Sequence, residues 1–405
     1  MIKSEPSLHP TKSLVFLLAT AVAITAANLY YAQPLVTMIS HTLGLSTGAA
    51  GLVVTLTQVG YGLGVLLVVP LGDILENRKL ILTMILMTVL GLLGLTFSST
   101  MLPYFAAAFL TGIGASAVQI IVPYSAHLVP EDKRGQMVGS LMSGLMLGIM
   151  LSRPTASFLT DLFSWHAVFV VSAILMMTLG FVLFRLLPPR QPSAQNLKYS
   201  TLLKSMIYLF LETPVLRRKA IYQAFVFGAF CLFWTASPMF LSGPEFHFSQ
   251  TQIALFALVG VAGAVSAPFA GRAADLGFGQ LGTAIALISC SISFIVSQIF
   301  DAGSLLALAS LVIAAILLDA GVSANLVLGQ RAIFALPAEH RSRLNALYIA
   351  TIFVGGASGS ALGAWAFSSG GWLHTAWLGF TLPLIAFLFF LTEYRLPKLA
   401  KKIHE

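Results

Sequence analysis

Twelve stretches of this 405-residue chain are apolar for long enough to cross a bilayer, and no other feature narrows its possible folds as far. They run over about 13–39, 47–71, 80–98, 101–128, 137–160, 165–187, 218–241, 250–271, 281–299, 303–330, 344–367 and 372–393. A spanning helix needs about 20 mostly apolar residues. The hydrocarbon core holds no water, so each segment must satisfy its own backbone N–H and C=O groups. These runs are too long and continuous for barrel strands, and all twelve are expected to be α-helices. Hydrophobic residues make up 58% of the chain and charged residues 9%, with a mean hydropathy of +0.91. A soluble domain carries about 25% charged residues. The expected fold class is an all-α membrane protein with twelve transmembrane helices.

All of the 22 Lys and Arg residues except Arg153 lie at the termini, in every second loop, or at the helix ends beside those loops. The loops between, such as Ser40–Ser46, Ser98–Thr100, Asp161–Ser164, Leu241–Gln250 and Phe300–Ala302, carry none. By the positive-inside rule, both termini and the even-numbered loops face the cytoplasm. The net charge of +8 therefore reads as topology signals and contacts to anionic lipid. No basic stretch is interleaved with aromatics, so no nucleic-acid partner is expected. Cys231 and Cys290 sit inside apolar segments and read as buried, inert thiols. The polar Met1–Lys12 precedes an apolar run of about 25 residues with no small-residue cleavage site, which reads as a retained first span.

The longest interruption, 188–217, holds Pro188, Pro189, Pro192 and several basic residues, and it divides the chain into six-helix bundles over 1–187 and 218–405. Within it Thr201–Leu211 is apolar but too short to cross, so an interfacial amphipathic helix is expected there. The two bundles are repeats. Pro130-Glu131-Asp132-Lys133-Arg134 recurs as Pro337-Ala338-Glu339-His340-Arg341, and Trp165 and Gly148 recur at the same displacement as Trp372 and Gly355. The loop after the second helix, Gly72-Asp73-Ile74-Leu75-Glu76-Asn77-Arg78-Lys79, is echoed at Gly271, Asp275 and Gly279. Parallel six-helix repeats with such loops are the plan of a rocker-type secondary transporter.

On these residues the chain resembles a major facilitator superfamily transporter over nearly its whole length. The loops at Asp73 and Asp275 resemble that family's signature G-x-x-x-D-R-x-G-R-R: the second keeps Gly271, Asp275 and Gly279, while the first keeps Asp73, Arg78 and Lys79 with the basic pair shifted by one. The resemblance implies that these loops latch one state of the cycle; helix capping and topology marking are the plainer alternative. Asn28-Leu29-Tyr30-Tyr31-Ala32-Gln33-Pro34 followed by Gly51–Gln58 is similar to bacterial drug/proton antiporters and arabinose-efflux permeases. That branch carries G-x-x-x-G-P-x-x-G-G in its fifth helix, where this chain has Gly144, Gly148, Ile149, Ser152 and Arg153. It also has an Arg four residues before the first Gly of a fourth-helix G-x-G, where this chain has Ala108 ahead of Gly112 and Gly114. Glycines at four-residue spacing, Gly144/Gly148 and Gly355/Gly359/Gly363, allow close helix approach, either for sliding or for static packing.

Two charges lie within the spans proper, Arg153 and Asp319. A charge at a helix centre costs about 2.5–3.5 kcal/mol on insertion scales, which makes each a functional-site hypothesis. Asp319 falls midway along the tenth segment with Ser323 on the same face, and the resemblance places the tenth helix beside the central cavity. It reads as a proton-coupling or substrate-binding acid, or else as half of a structural ion pair. Arg153 reads as an anion-recognition group or a partner of Asp319, with snorkelling to the surface near Asp161 as the alternative. Asn28 and Tyr31, Gln58, Gln119, Gln223 and Trp234, and Asn345 and Tyr348 form a candidate polar lining suited to an amphiphilic or polyhydroxylated solute; interhelical glue is the alternative for each.

No enzyme motif, phosphate-binding loop, metal-ligating cluster or cofactor signature is present, so neither a catalytic role nor a cofactor nor a metal is expected. The expected function is alternating-access secondary transport, as a monomer in the bacterial inner membrane, exporting a small organic solute or drug in exchange for protons. An uptake symporter or facilitator for a sugar or organic acid, and a non-transporting receptor on the same fold, are the alternatives.

Overall fold

The computed structural model of the chain describes residues 12–130, 133–191, 198–337 and 340–394. The terminal segments expected to face the cytoplasm, the loop residues Glu131, Asp132, Ala338 and Glu339, and Pro192 of the linker lie outside the described residues. Every described element is helical. Helices α1 (Lys12–Ala27) and α2 (Val36–Thr42) form the first span, and α3 (Leu52–Leu63) is the body of the second. The third is α4 (Asn77–Phe97), and the fourth combines α5 (Met101–Ala115) with α6 (Val118–His127). The fifth and sixth are α7 (Arg134–Leu162) and α8 (Trp165–Leu186). After the short α9 (Tyr199–Glu212) comes α10 (Pro214–Leu241), then α11 (Gln250–Ala257) with α12 (Ala262–Asp275), α13 (Gly279–Val296), α14 (Leu305–Phe334) and α15 (Arg341–Leu391).

Ten of the helical stretches are long and apolar enough to cross a membrane. The 51-residue α15 holds two of the expected spans, which meet where Gly371 adopts φ +64°, a conformation that a side chain would strain. With α1–α2 as the first, all twelve expected spans appear among the described residues. Large apolar side chains such as Phe97, Leu102, Phe163 and Leu305 are left exposed on the outside of the bundle, the arrangement suited to lipid tails rather than water.

The first span was expected to be one continuous helix and is not. Residues 28–32 form turns that lead into a 3₁₀ turn at Gln33–Leu35, closed by bonds such as Gln33 N–H to Tyr30 O (3.1 Å). Pro34 has no N–H to give an α-helical ladder. All residues from Asn28 to Val36 are buried, which is where irregular backbone is tolerated at membrane depth. The eighth span is interrupted likewise, by a 3₁₀ turn at Leu258–Val261.

Glycines set the closest helix crossings, and they do so equivalently in the two repeats. A Cβ on Gly148 of α7 would lie 2.7 Å from the Ala23 Cα of α1, and one on Gly359 of α15 would lie 2.7 Å from the Gly228 Cα of α10. The same fifth-on-first packing thus recurs as eleventh-on-seventh. Between the repeats, α3 packs on α15 and α7 on α11. Helix α9 lies across one such seam as an amphipathic element: Leu202 and Met206 are buried, Ile207 and Tyr208 are exposed. The Tyr199 hydroxyl donates to Leu67 O (2.6 Å), and Arg343 of α15 donates to Ser205 Oγ (2.9 Å).

Replacing Gly359 by Ala should push α15 off α10 and cost about 1–3 kcal/mol. Gly139→Ala, where nothing lies within 4 Å of the added carbon, should be neutral or stabilising. Unfolding midpoints in detergent check the pair, and equal midpoints would remove the glycine-contact account.

Candidate functional site

The two charges within the spans are neighbours. Arg153 of α7 and Asp319 of α14 are 2% and 4% exposed, so the arginine does not snorkel to the surface. A Cβ built on Gly260, in the turn between α11 and α12, would lie 2.8 Å from Asp319 Oδ2, 3.5 Å from Arg153 Nη1 and 3.4 Å from Trp234 Cζ2. The two charged groups therefore stand no more than about 6 Å apart, and a side chain at position 260 would have to displace the Asp319 carboxylate. At an effective dielectric of about 20 that separation gives roughly 3 kcal/mol of attraction. Desolvating the two groups costs several kcal/mol each, so fold stability is a poor reason for the pair.

Neighbouring side chains fix the orientation of both. The Trp234 indole donates its Nε1–H to Asp319 Oδ1 (2.9 Å). Arg153 Nε–H donates to Gln33 Oε1 (2.8 Å). The guanidinium carbon lies 4.5 Å from the Trp234 ring centroid, 5.0 Å from that of Phe230 and 5.3 Å from that of Tyr30. A desolvated cation–ring contact contributes about 2 kcal/mol. Two nitrogens of this group remain without a partner, Arg153 Nη2 and Gln33 Nε2, as does the hydroxyl of Ser157, one turn further along α7. A buried donor left unpaired costs about 1–3 kcal/mol.

The other predicted lining residues form ties at several levels. Asn28 Oδ1 accepts from Ser172 Oγ (2.6 Å), joining the first and sixth spans, and Tyr31 is buried beside them in the first span. Gln58 Nε2 donates to Cys231 Sγ (3.3 Å) and its Oε1 accepts from Ser360 (3.3 Å), so one amide joins the two repeats. Gln119 Nε2 donates to the Tyr61 hydroxyl (3.0 Å) and its Oε1 accepts from Asn345 Nδ2 (3.3 Å), a second crossing nearer the basic end. Gln223 bonds Val322 O (3.2 Å) and Asn325 (2.7 Å) within the second repeat. Ser323 packs against Gly263. The Tyr348 hydroxyl, beside Gly329, and Asn345 Oδ1 have no partner. Sequence reasoning missed Gln33, Tyr30, Phe230 and Gly260. Gln33, an amide in an apolar run, carried the same weaker signal as the other lining amides; Gly260 carried none.

The two signature loops differ. In the first, Gly72 O accepts from Asn77 Nδ2 (2.6 Å), Glu76 caps α4 through the amides of Arg78 (2.8 Å) and Lys79 (3.1 Å), and Arg78 bonds Phe184 O. Asp73 has Arg343 of the other repeat and Arg190 as its charged neighbours, and all three line a polar cavity of about 290 Å³ with Tyr124 and His127. In the second loop Asp275 pairs with Arg331 of the same repeat beside Gly271, in an exposed position, and Gly279 begins α13 with no close neighbour. A separate apolar groove of about 660 Å³ runs between α3, α9 and the first limb of α15.

The sequence model of the Major Facilitator Superfamily matches residues 17–303 and 224–405. The chain belongs to the major facilitator superfamily. Among relatives in this superfamily, an uncharacterized transporter, YgaY of Escherichia coli O157:H7, is 36% identical over 95% of this chain and 96% of its own length. A chloramphenicol resistance protein of Streptomyces lividans is 26% identical over 44% of this chain and 46% of its own. The solved structure of the nucleoside transporter NupG aligns with a TM-score of 0.73, covering 93% of this chain and 99% of that one at 12% identity, a likeness of fold. The protein is a multi-pass membrane transporter of the major facilitator type.

If Arg153 and Asp319 interact as placed, Asp319→Asn and Arg153→Gln should each destabilise the protein, and the double variant should lose less than their sum by about 1–3 kcal/mol. Unfolding in detergent measures this cycle; simple additivity would show that the two groups do not feel one another.

Proposed function

We propose that the protein exports a small organic solute by alternating access and that a proton couples to the cycle at Asp319. One observation carries the reading: a buried carboxylate from the second repeat faces a buried guanidinium from the first. Ionised, Asp319 holds α14 to α7 through charge. Protonated, it keeps its hydrogen-bonding capacity and loses that attraction, so proton occupancy alters what holds the repeats together. The rocking units in this proposal are 1–187 and 218–405, joined by the linker 188–217, with both termini and the Lys/Arg-rich end in the cytoplasm of the inner membrane.

The outward direction is supported by the resemblance of Asn28–Pro34 and Gly51–Gln58 to efflux permeases and by the likeness to a chloramphenicol resistance protein. Asn28, Tyr31, Gln58, Gln119, Gln223, Ser323, Asn345 and Tyr348 supply polar groups along the path in this reading. Gly72, Asp73, Arg78 and Lys79, with Gly271, Asp275 and Gly279, form latches at the cytoplasmic end; Asp73 is the one that faces the opposite repeat, through Arg343. A second reading, proton-linked movement of an organic acid, is favoured by Arg153, because an anion bound there is accompanied by a proton on Asp319.

Everted vesicles loaded with acid test both. Adding a transported solute should release protons from the lumen if the two are exchanged, and should carry protons inward if they travel together. Either signal should vanish in Asp319→Asn. Solute flux that persists unchanged in the variant without a proton signal would mean a facilitator and would remove Asp319 from the mechanism.

A further inference from the structure

Gln33 and Arg153 are 0% and 2% exposed, yet each keeps one nitrogen without an acceptor. The two are already joined, Arg153 Nε–H to Gln33 Oε1 at 2.8 Å. That bond orients the amide against the guanidinium and leaves Gln33 Nε2 and Arg153 Nη2 as free donors on one bonded unit. A water would satisfy either donor alone. Two donors, one of them cationic, are matched better by an acceptor with two oxygens and a negative charge.

We infer that Arg153 Nη2 and Gln33 Nε2 grip the carboxylate of the transported solute, an amphiphilic organic anion whose flat apolar body lies against the rings of Tyr30, Phe230 and Trp234. The inference rests on the Arg153–Asp319 pocket being the transport site and goes with the second reading above, in which an organic acid and a proton travel together. The three rings already surround the guanidinium, at 4.5–5.3 Å from their centroids, so a ligand that reaches Arg153 meets them. A cationic solute is disfavoured, because any approach to Asp319 brings it beside the guanidinium across Gly260.

Charge balance links the solute to the proton. With Asp319 ionised the pair is neutral, and an added carboxylate leaves one net negative charge in a dry site. A proton from solution on Asp319 restores neutrality, so solute and proton load the same state. The titratable groups packed round the pair are Tyr30 and Cys231 near Arg153 and Cys290 of α13 near Asp319. A phenol or thiol with ordinary values of about 10 and 8.5 is neutral at pH 7, which leaves Arg153 and Asp319 as the charges that matter.

The test uses the full chain in nanodiscs and three probes, benzoate, phenylacetate and indole-3-acetate, each against its neutral amide, with binding followed by calorimetry. At least one carboxylate should bind tenfold or more tighter than its amide at pH 6, a difference of about 1.4 kcal/mol, and its affinity should fall as the pH rises. Arg153→Gln should abolish the preference for carboxylate, and Gln33→Leu, which keeps the charge, should reduce it. Asp319→Asn should keep the preference and lose the pH dependence. Absence of a carboxylate preference in all three pairs, or a preference that survives Arg153→Gln in a variant that still unfolds cooperatively above the assay temperature, overturns the inference. If the preference is absent while Asp319-dependent proton movement persists in vesicles, the transport reading stands and only the solute class falls. Carboxylate binding without any proton movement has the reverse meaning.

Discussion

A bilayer interior offers nothing to a free peptide N–H or C=O, and the architecture follows from that single constraint. It makes every described element a helix and keeps departures such as those in the first and eighth spans to short turns, the one in the first span wholly buried. The departures are informative for that reason. The break after α1 presents Gln33, and the break between α11 and α12 presents Gly260; both meet the Arg153–Asp319 pair. Interrupted helices face each other across the charges, one from each repeat, which is where a membrane transporter can place polar backbone and polar side chains at depth.

Close approach does the remaining work. Without a hydrophobic difference between lipid and protein, helices associate through packing and a few polar ties. The glycines of α7 on α1, and of α15 on α10, bring backbones into contact. The amides of Gln58 and Gln119 cross between the repeats. Those glycine contacts lie within each repeat; between the repeats the polar ties include these amides, the Thr251–Asp161 bond and the charged pair.

The spans and their polarity were legible in the sequence because both are local properties: a run of apolar residues, and the placement of Lys and Arg in alternate loops. Arg153 and Asp319 were legible by cost, since a charge in a span demands a reason. Their proximity was not legible, nor that Gly260 comes close to both, because contacts between distant segments depend on helix rotation and on how the eighth span breaks. The first span shows the same limit. Its composition suits one long helix, and only the packing of Asn28–Leu35 inside the protein makes the turn affordable. The lining amides stood out in the sequence as polar residues in apolar runs, but sequence could not tell which would end up tied to one another, as Gln119 is to Tyr61 and Asn345.

The two-residue break at Gly370-Gly371 has a mechanical consequence. Most neighbouring spans are separated by a turn or a loop that can absorb strain, but the last two follow one another with almost no slack. The first limb of α15 lies along α10 and against α3 of the opposite repeat, and the second limb also touches α10, through the Tyr222–Phe389 and Phe240–Trp372 ring contacts. Both limbs therefore grip the seventh span, one on each side of the Gly370-Gly371 break. The seventh span, which carries Trp234, is thus held along its length by the same chain segment that packs on α3 at the seam between repeats.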